Sequence, residues 1–207
     1  DFVKLSKLFS HFKDPTNVNW RELVKKSYDI FPPEKKLMFG TAQFGMDYGV
    51  ANKAGQIQAE EVTDIINHAN DNSIFAYDTA ADYGESEKLL GDNANILANS
   101  KIITKLGTKL ESYSDVESCL RASCRKLKRS KLNAVLLHNF DQLRSEVWGH
   151  LREFKKQGLV EHIGVSVYSK EEARVVVQEG NSDIVQIPYN IIDWRWSELL
   201  NEDSHRI

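Results

Sequence analysis

The sequence predicts an α/β fold built around a parallel sheet, of the kind found in a (β/α)8 TIM barrel. Three observations support this prediction. Short apolar runs alternate with stretches in which apolar residues recur at helical spacing. The runs are continuously apolar, as expected for strands that are buried on both faces. They begin roughly every 29 residues, close to the spacing of about 250 residues divided among eight units.

Six apolar runs have the length of a strand. In chain order they are LMFGTA (37–42), IFAYDT (74–79), KIITK (101–105), AVLLH (134–138), HIGVSV (162–167) and DIVQIP (183–188). Because a closed barrel needs eight units, we expect that two strands are missing from this sequence or that the barrel is open. A doubly wound sheet is the alternative, but the GxGxxG turn of its dinucleotide-binding form does not occur.

The segments between these runs predict amphipathic helices. Three sets of apolar residues form helical faces: Val62, Ile65, Ile66 and Ala69; Val116, Cys119, Leu120 and Leu127; and Val147, Trp148, Leu151 and Phe154. Ser169 and Glu172 predict a capping box before a further helix. Gly158 and Gly180 stand where helices should end.

Residues 1–36 differ from the rest of the chain. Phe2, Leu5 and Phe9 recur at helical spacing, and residues 20–31 predict a second short helix before Pro32. We interpret residues 1–36 as a helical extension or the remnant of an upstream domain, and residues 37–207 as a partial barrel domain. An upstream fused domain or self-association through open sheet edges would follow.

The composition argues against several classes of protein. A formal net charge of −3 on 207 residues offers no basic surface for nucleic acid or an anionic membrane. No apolar run approaches the roughly 18 residues of a membrane span, and no signal-peptide pattern is present. The two cysteines, Cys119 and Cys124, lack metal-ligand spacing and are expected to be free thiols. We therefore expect a cytoplasmic protein.

Three successive predicted strands end in an ionisable side chain: Asp78, Lys105 and His138. Each has an ordinary explanation, since an aspartate can cap a turn, a lysine can reach solvent and a histidine can be hydrogen-bonded in a core. In a barrel, however, the carboxyl ends of adjacent strands share one rim, where active sites lie. Tyr83, in the loop after the second strand, can reach the same rim.

These four side chains suit the protonation of a carbonyl oxygen. A free tyrosine has a pKa of about 10, and a neighbouring ammonium favours its phenolate form. Asp78 would hold Lys105 charged, and a neutral His138 could orient a carbonyl oxygen toward Tyr83. Protonation at oxygen while hydride arrives at carbon is carbonyl reduction. Because no side chain carries hydride, the reaction needs a nicotinamide cofactor.

Several segments, in this order, resemble signatures of the aldo/keto reductase superfamily. They are DTAADYGESEKLLG (78–91), IITKLG (102–107), LLHNF (136–140), KKQGLVEHIGVSVYS (155–169) and VQIPYN (185–190). FGTAQFGMDYGVAN (39–52) is similar to the first strand and loop of a bacterial branch of that superfamily. The resemblance covers about residues 37–190. It implies an NAD(P)H-dependent enzyme that reduces an aldehyde or ketone, with a partial (β/α)8 barrel as its fold.

The resemblance also implies a role for individual residues. Asp78, Tyr83, Lys105 and His138 would form a catalytic tetrad with Tyr83 as general acid/base. Ser166 and Gln186 would hydrogen-bond the nicotinamide carboxamide, and Gly40, Thr41 and Ala42 would line the cofactor. We expect this cofactor to be NADP, with NAD as the alternative, and the partner to be a small-molecule carbonyl substrate.

Two features depart from the family pattern. Val167 stands where many members have asparagine, so it cannot supply the usual amide contact. The family also binds the phosphates and adenosine of its cofactor with segments after strands seven and eight, which we do not find.

Two alternative functions have less support in the sequence. One is a non-catalytic binding or regulatory module of a larger protein. The other is a metal-dependent hydrolase, for which His138 and His162 are too isolated.

These departures predict that the 207-residue chain alone binds cofactor poorly. Without the expected phosphate-binding segments, much of the binding energy should be lost. Titration of this chain and of the full-length protein with NADPH, followed by nucleotide fluorescence, compares the two affinities. Equal affinity would mean that residues within this sequence hold the phosphates.

Overall fold

A computed structural model describes residues 37–190 together with Asp193 and Trp196. The predicted helical extension, residues 1–36, lies outside this part of the chain. Among the residues described, no helix is both long enough and apolar enough to cross a lipid bilayer. They belong to two compact units, Leu37–Ile163 and a unit whose described residues begin at Gly164.

Six strands follow one another in chain order in one sheet. They are β1 Phe39–Gly40, β2 Ala76–Asp78, β3 Lys101–Lys105, β4 Leu132–Leu137, β5 Val160–Ser166 and β6 Ile184–Gln186. The pairs β1–β2, β2–β3, β3–β4 and β5–β6 are all parallel. Parallel neighbours need a crossover connection, and helices supply it here.

The helices of the first unit lie between its strands in the chain. They are α1 Ala42–Gly45, α2 Ala59–Asp71, α3 Ser86–Asp92, α4 Tyr113–Lys126, a 3-10 helix at Phe140–Arg144 and α5 Glu146–Lys156. The three longest, α2, α4 and α5, each bury one apolar face, as their sequence spacing predicts. In space, α4 contacts both α3 and α5, and α1 contacts α3.

Capping boxes define two helix starts in this unit. At α4, the Ser112 hydroxyl accepts a hydrogen bond from the Asp115 backbone at 3.2 Å, and the Asp115 carboxylate accepts one from the Ser112 backbone at 2.9 Å. Asn139 and Gln142 make the same reciprocal pair at the 3-10 helix. Each box satisfies backbone N–H groups that the first turn leaves without a partner.

The centre of the first unit is formed by β3 and β4. Ile102 and Ile103 of β3 are at most 4% exposed, and Val135, Leu136 and Leu137 of β4 are fully buried. Both faces of these strands are buried, which explains why their apolar residues do not alternate with polar ones. Within β3, the ionisable side chains are therefore only at the two ends, Lys101 and Lys105, and β4 has none.

The second unit contains the end of β5, a helix and β6. Gly164, Val165 and Ser166 pair with residues 184–186 in parallel register. Between them lies α6, Lys170–Glu179. It begins at the predicted capping box of Ser169 and Glu172 and ends at Gly180, whose φ of 65° is left-handed.

The predicted parallel α/β fold with six strands is confirmed, but the extent of β1 is not. A six-residue run predicts this strand, yet only Phe39 and Gly40 pair with β2. Thr41 makes one more backbone bond to β2, from its N–H to the Asp78 carbonyl at 2.9 Å, and the chain then leaves the sheet because α1 starts at Ala42. Neither α1 nor the 3-10 helix was predicted, since elements of four or five residues show no usable periodicity.

The buried centre predicts a large loss of stability for Leu136→Ala. Truncating a fully buried leucine in β4 should lower the free energy of unfolding by about 2–5 kcal/mol. The matched control is Leu37→Ala, because Leu37 is 61% exposed and the same truncation removes little packing. Urea unfolding of both variants measures the difference. Equal losses would contradict the placement of β4 in the core.

Candidate active site

Asp78 and Lys105 end adjacent strands and form a buried ion pair. In the parallel register Asp78 is opposite Ile103, two residues before Lys105. The Lys105 Nζ donates to both carboxylate oxygens of Asp78, at 2.6 and 2.8 Å. The Lys105 side chain is 3% exposed and that of Asp78 is 19% exposed. The pair thus lies mostly out of water, where its charges are little screened.

The Lys105 ammonium also donates to the Thr79 carbonyl oxygen at 3.2 Å. An ammonium has three N–H donors, so the two carboxylate oxygens and this carbonyl can satisfy all of them. A buried charge is tolerated only with such partners. The end of β2 and the residue after it therefore give the Lys105 Nζ its hydrogen-bond partners and fix its position.

The Tyr83 ring lies next to this ion pair. The Lys105 Nζ is 5.1 Å from the centre of the ring, and the His138 ring meets it edge to face, with 5.9 Å between ring centres. The Tyr83 backbone is fixed in the loop: its N–H donates to Ala80 at 3.1 Å, and its carbonyl accepts from Ser86 at 3.0 Å. One loop thus brings the phenol to the ends of β3 and β4.

His138 follows β4 directly, and a buried glutamine holds its backbone. The Gln142 side-chain oxygen accepts from the His138 backbone N–H at 3.0 Å, and the Gln142 amide group donates to the Gly107 carbonyl at 2.9 Å. Gln142 is 6% exposed. It therefore connects the segment after β3 with the segment after β4, beside the tetrad.

The environment of His138 favours the neutral imidazole. Burial lowers the pKa of His138 below its ordinary value of 6.5, and the positive charge of Lys105 lowers it further. The carboxylates of Asp82 and Asp78 act in the opposite direction but do not reverse the shift. His138 Nδ1 lies 3.6 Å from Asp82, beyond hydrogen-bond distance. A neutral imidazole can donate one hydrogen bond and accept another.

Three buried hydroxyl groups join the ends of β1 and β2. The Ser86 hydroxyl donates to the Thr41 carbonyl at 2.9 Å and lies 2.7 Å from the Thr41 hydroxyl and 2.9 Å from that of Thr79. Thr41 in turn donates to the Asp78 carbonyl at 2.9 Å. All three side chains are fully buried. This hydroxyl cluster fixes the segment before Tyr83.

Sequence reasoning missed Asp82, Ser86 and Gln142, the supporting residues of the site. Two of these left a local signal. The spacing of Asn139 and Gln142 is that of a capping box, and Asp82 directly precedes Tyr83. Ser86 left none, because its contacts with Thr41 join residues 45 positions apart.

The residues predicted to line a cofactor differ in their exposure and in the polar groups that they have available. Gly40 is exposed, and a Cβ added there would meet nothing within 4 Å, so the end of β1 is open on that side. The hydroxyl of Thr41 already serves the hydroxyl cluster, and Ala42 opens α1. In the second unit, Ser166 and Gln186 are direct neighbours on β5 and β6. They place a hydroxyl beside a carboxamide, a donor and acceptor set that matches an amide ligand.

Comparisons with known proteins agree on one family. The sequence model of the Aldo/keto reductase family matches residues 36–202. A solved structure from Pseudomonas aeruginosa, assigned to the aldo-keto reductases, superposes with a TM-score of 0.69 at 26% identity and covers 80% of this chain and 67% of its own. No match is found among curated proteins.

Two further solved structures show the same fold. The holo form of an aldo-keto reductase from Bacillus halodurans has a TM-score of 0.64 at 20% identity, over 81% of this chain and 58% of its own. An aldo-keto reductase from Bombyx mori in complex with NADP has a TM-score of 0.59 at 23% identity, over 81% and 59%. The chain therefore spans about three fifths to two thirds of these structures. The prediction of an incomplete (β/α)8 barrel is confirmed.

The environment of His138 predicts a low titration midpoint. In the folded protein the midpoint should lie below 6.5, because burial and Lys105 disfavour the imidazolium. NMR titration of the imidazole signals measures it, and His138→Gln assigns the signal by its loss. A midpoint at or above 6.5 would contradict the described environment.

The sign of the accompanying stability change follows by linkage. With the folded pKa below the unfolded one, the unfolded chain binds the proton first as the pH falls below about 6.5. The stabilising contribution is complete above that pH and is lost as the pH falls toward the folded pKa. His138→Gln should therefore lose less stability than the wild type on acidification through this window.

Proposed function

This chain belongs to the aldo/keto reductase family, and on that premise we propose that it is an oxidoreductase that reduces an aldehyde or ketone to an alcohol with NAD(P)H. The observation that carries the proposal is the position of one charge. The Lys105 ammonium is held by Asp78 at 2.6 and 2.8 Å and lies 5.1 Å from the Tyr83 ring. With Tyr83 as the proton donor, this arrangement would supply its activating charge.

Tyr83 is the proposed proton donor to the carbonyl oxygen. A buried ammonium beside a phenol stabilises the phenolate that remains after the proton has left. Because Lys105 is nearly excluded from water, its charge acts on Tyr83 with little screening. Asp78 contributes by keeping Lys105 charged and in place, and it does not itself contact the carbonyl. Tyr83 is thus stabilised in the charge state that proton transfer produces.

His138 is the proposed orienting group. Its neutral imidazole can donate a hydrogen bond to a carbonyl oxygen without adding a second positive charge beside Lys105. The edge-to-face contact of its ring with Tyr83, with 5.9 Å between the ring centres, supports this role. A carbonyl oxygen held between these two rings would receive the Tyr83 proton directly.

The nicotinamide cofactor would supply the hydride that no side chain can carry. We propose that Ser166 and Gln186 hold its carboxamide, which fits their paired hydroxyl and amide groups. Gly40, Thr41 and Ala42 would line its path beside β1, where the open side of Gly40 leaves room. NADP is the preferred form, supported by the NADP complex of the Bombyx mori relative, and NAD is the alternative.

Substrate and surroundings follow from the same proposal. The substrate would be a small-molecule carbonyl compound, selected by loops that vary between relatives.

Cys119 and Cys124 are both free thiols, as in proteins of a reducing compartment, and we propose a cytoplasmic location. The compact tetrad supports the enzyme over a non-catalytic module, which would not need a buried lysine beside a phenol.

The proposed roles predict the effect of two substitutions in the full-length protein. Tyr83→Phe and Lys105→Met should each lower kcat for carbonyl reduction at least about 10²-fold, since the first removes the proton donor and the second its activating charge. The Kd for NADPH should change much less. Steady-state kinetics and a fluorescence titration measure the two effects.

The matched control is Tyr113→Phe, because Tyr113 lies at the start of α4 and packs on Phe154 and His150. Its kcat should equal that of the wild type. Near wild-type kcat in Tyr83→Phe would refute the assignment of the proton donor.

A further inference from the structure

The backbone of the Tyr83 loop lies directly against the end of α1, and a glycine on each side of this contact leaves room for it. A Cβ added at Gly45 would lie 1.7 Å from the Tyr83 carbonyl oxygen and 2.5 Å from the Ser86 nitrogen. A Cβ added at Gly84 would lie 2.2 Å from the Gly45 carbonyl oxygen. Real Cβ atoms do not approach other atoms within 3.0 Å, so only glycine fits at either position.

The carbonyl that Gly45 accommodates has a defined task. It accepts the hydrogen bond from Ser86 N–H at 3.0 Å, at the start of α3, while the Tyr83 N–H bonds Ala80 at 3.1 Å. The Tyr83 peptide groups are therefore fixed on both sides, which sets the direction in which the side chain leaves the loop. Gly84, with a φ of 55°, provides the turn that follows.

The two segments cannot separate easily to relieve a clash. Ser86, next to the contact, is bonded through its buried hydroxyl to Thr41 and Thr79. A side chain at position 45 would therefore have to displace the Tyr83 peptide relative to a fixed frame. Relief of the clash requires a shift of more than about 1 Å, and a displacement of that size can cost about 10²-fold in rate.

We propose that Gly45 is a positioning residue for Tyr83: its missing side chain lets the Tyr83 loop close onto α1, and this closure sets the distance from the phenol to the Lys105 ammonium. The inference rests on the proposed function, since it assumes that Tyr83 gives up a proton. Gly45 itself contacts neither substrate nor reacting atoms. Gly84 completes the same contact from the other side.

The main test compares Gly45→Ala with Gly149→Ala in the full-length protein. Both glycines lie in helices, but a Cβ at Gly149 would meet nothing within 4 Å. Reduction of p-nitrobenzaldehyde with NADPH should show kcat lowered by about 10- to 100-fold in Gly45→Ala, with the Kd for NADPH within about threefold of wild type. Gly149→Ala should match the wild type in both.

A pH profile separates positioning from a general structural loss. If the phenol moves away from Lys105, the ammonium acts on it less, and the alkaline limb of kcat against pH should move to higher pH. A protein that is only partly unfolded would lose amplitude without moving this limb. An unmoved limb, or wild-type kcat in Gly45→Ala, would overturn the inference.

A second pair of variants covers the case in which Gly45→Ala does not fold, as judged by circular dichroism. Gly84→Asn keeps a residue that tolerates positive φ but adds the Cβ that meets Gly45, whereas Gly158→Asn makes the same change at a φ of 80° in open space. Gly84→Asn should show the lowered kcat and the moved limb, and Gly158→Asn neither. If Gly84→Asn also fails to fold, the contact serves folding and the inference is wrong.

Tyr83→Phe distinguishes failure of this inference from failure of the proposed function. Loss of activity in Tyr83→Phe together with full activity in Gly45→Ala would reject the positioning role alone. Full activity in Tyr83→Phe would reject the proposed function, and the positioning role with it.

Discussion

The buried ion pair of Lys105 and Asp78 is the interaction on which the rest of the candidate site depends. A lysine that is 3% exposed would be strongly destabilising without partners, because the charge has lost its hydration. The parallel register of β2 and β3 supplies those partners, since it places Asp78 and the Thr79 carbonyl within reach of Nζ. A shift of this register by one residue would turn the two side chains to opposite faces.

The positive charge of Lys105 lies beside two rings, those of Tyr83 and His138. Burial lowers the pKa of His138, and the positive charge of Lys105 lowers it further. In the proposed function the same charge, 5.1 Å from the centre of the Tyr83 ring, would stabilise the phenolate of Tyr83. In the proposed function, the two rings would therefore offer a proton donor and a neutral hydrogen-bond donor side by side. Burial and the Lys105 charge thus both favour the neutral form of His138.

The strands and the strand-end positions of Asp78, Lys105 and His138 were predictable because their signals are local. Continuous apolar runs located all six strands, and an ionisable residue at the end of a run marked Asp78, Lys105 and His138. The supporting contacts were not predictable, because they join residues that are distant in sequence. The Ser86 hydroxyl meets Thr41 only after the sheet has formed, and no periodicity records it. The close approach at Gly45 depends likewise on the finished fold, since a glycine in a sequence has many other uses.

The hydroxyl cluster of Thr41, Thr79 and Ser86 contains no group that ionises in water near neutral pH. Hydrogen bonds between neutral hydroxyls and carbonyls neither titrate nor respond to dissolved salt, unlike the surface ion pairs elsewhere in the chain. The hydrogen bonds that join β1 to β2 therefore do not change with the pH values at which His138 gains a proton. Acidification that protonates His138 would therefore leave the hydrogen bonds of the hydroxyl cluster unchanged.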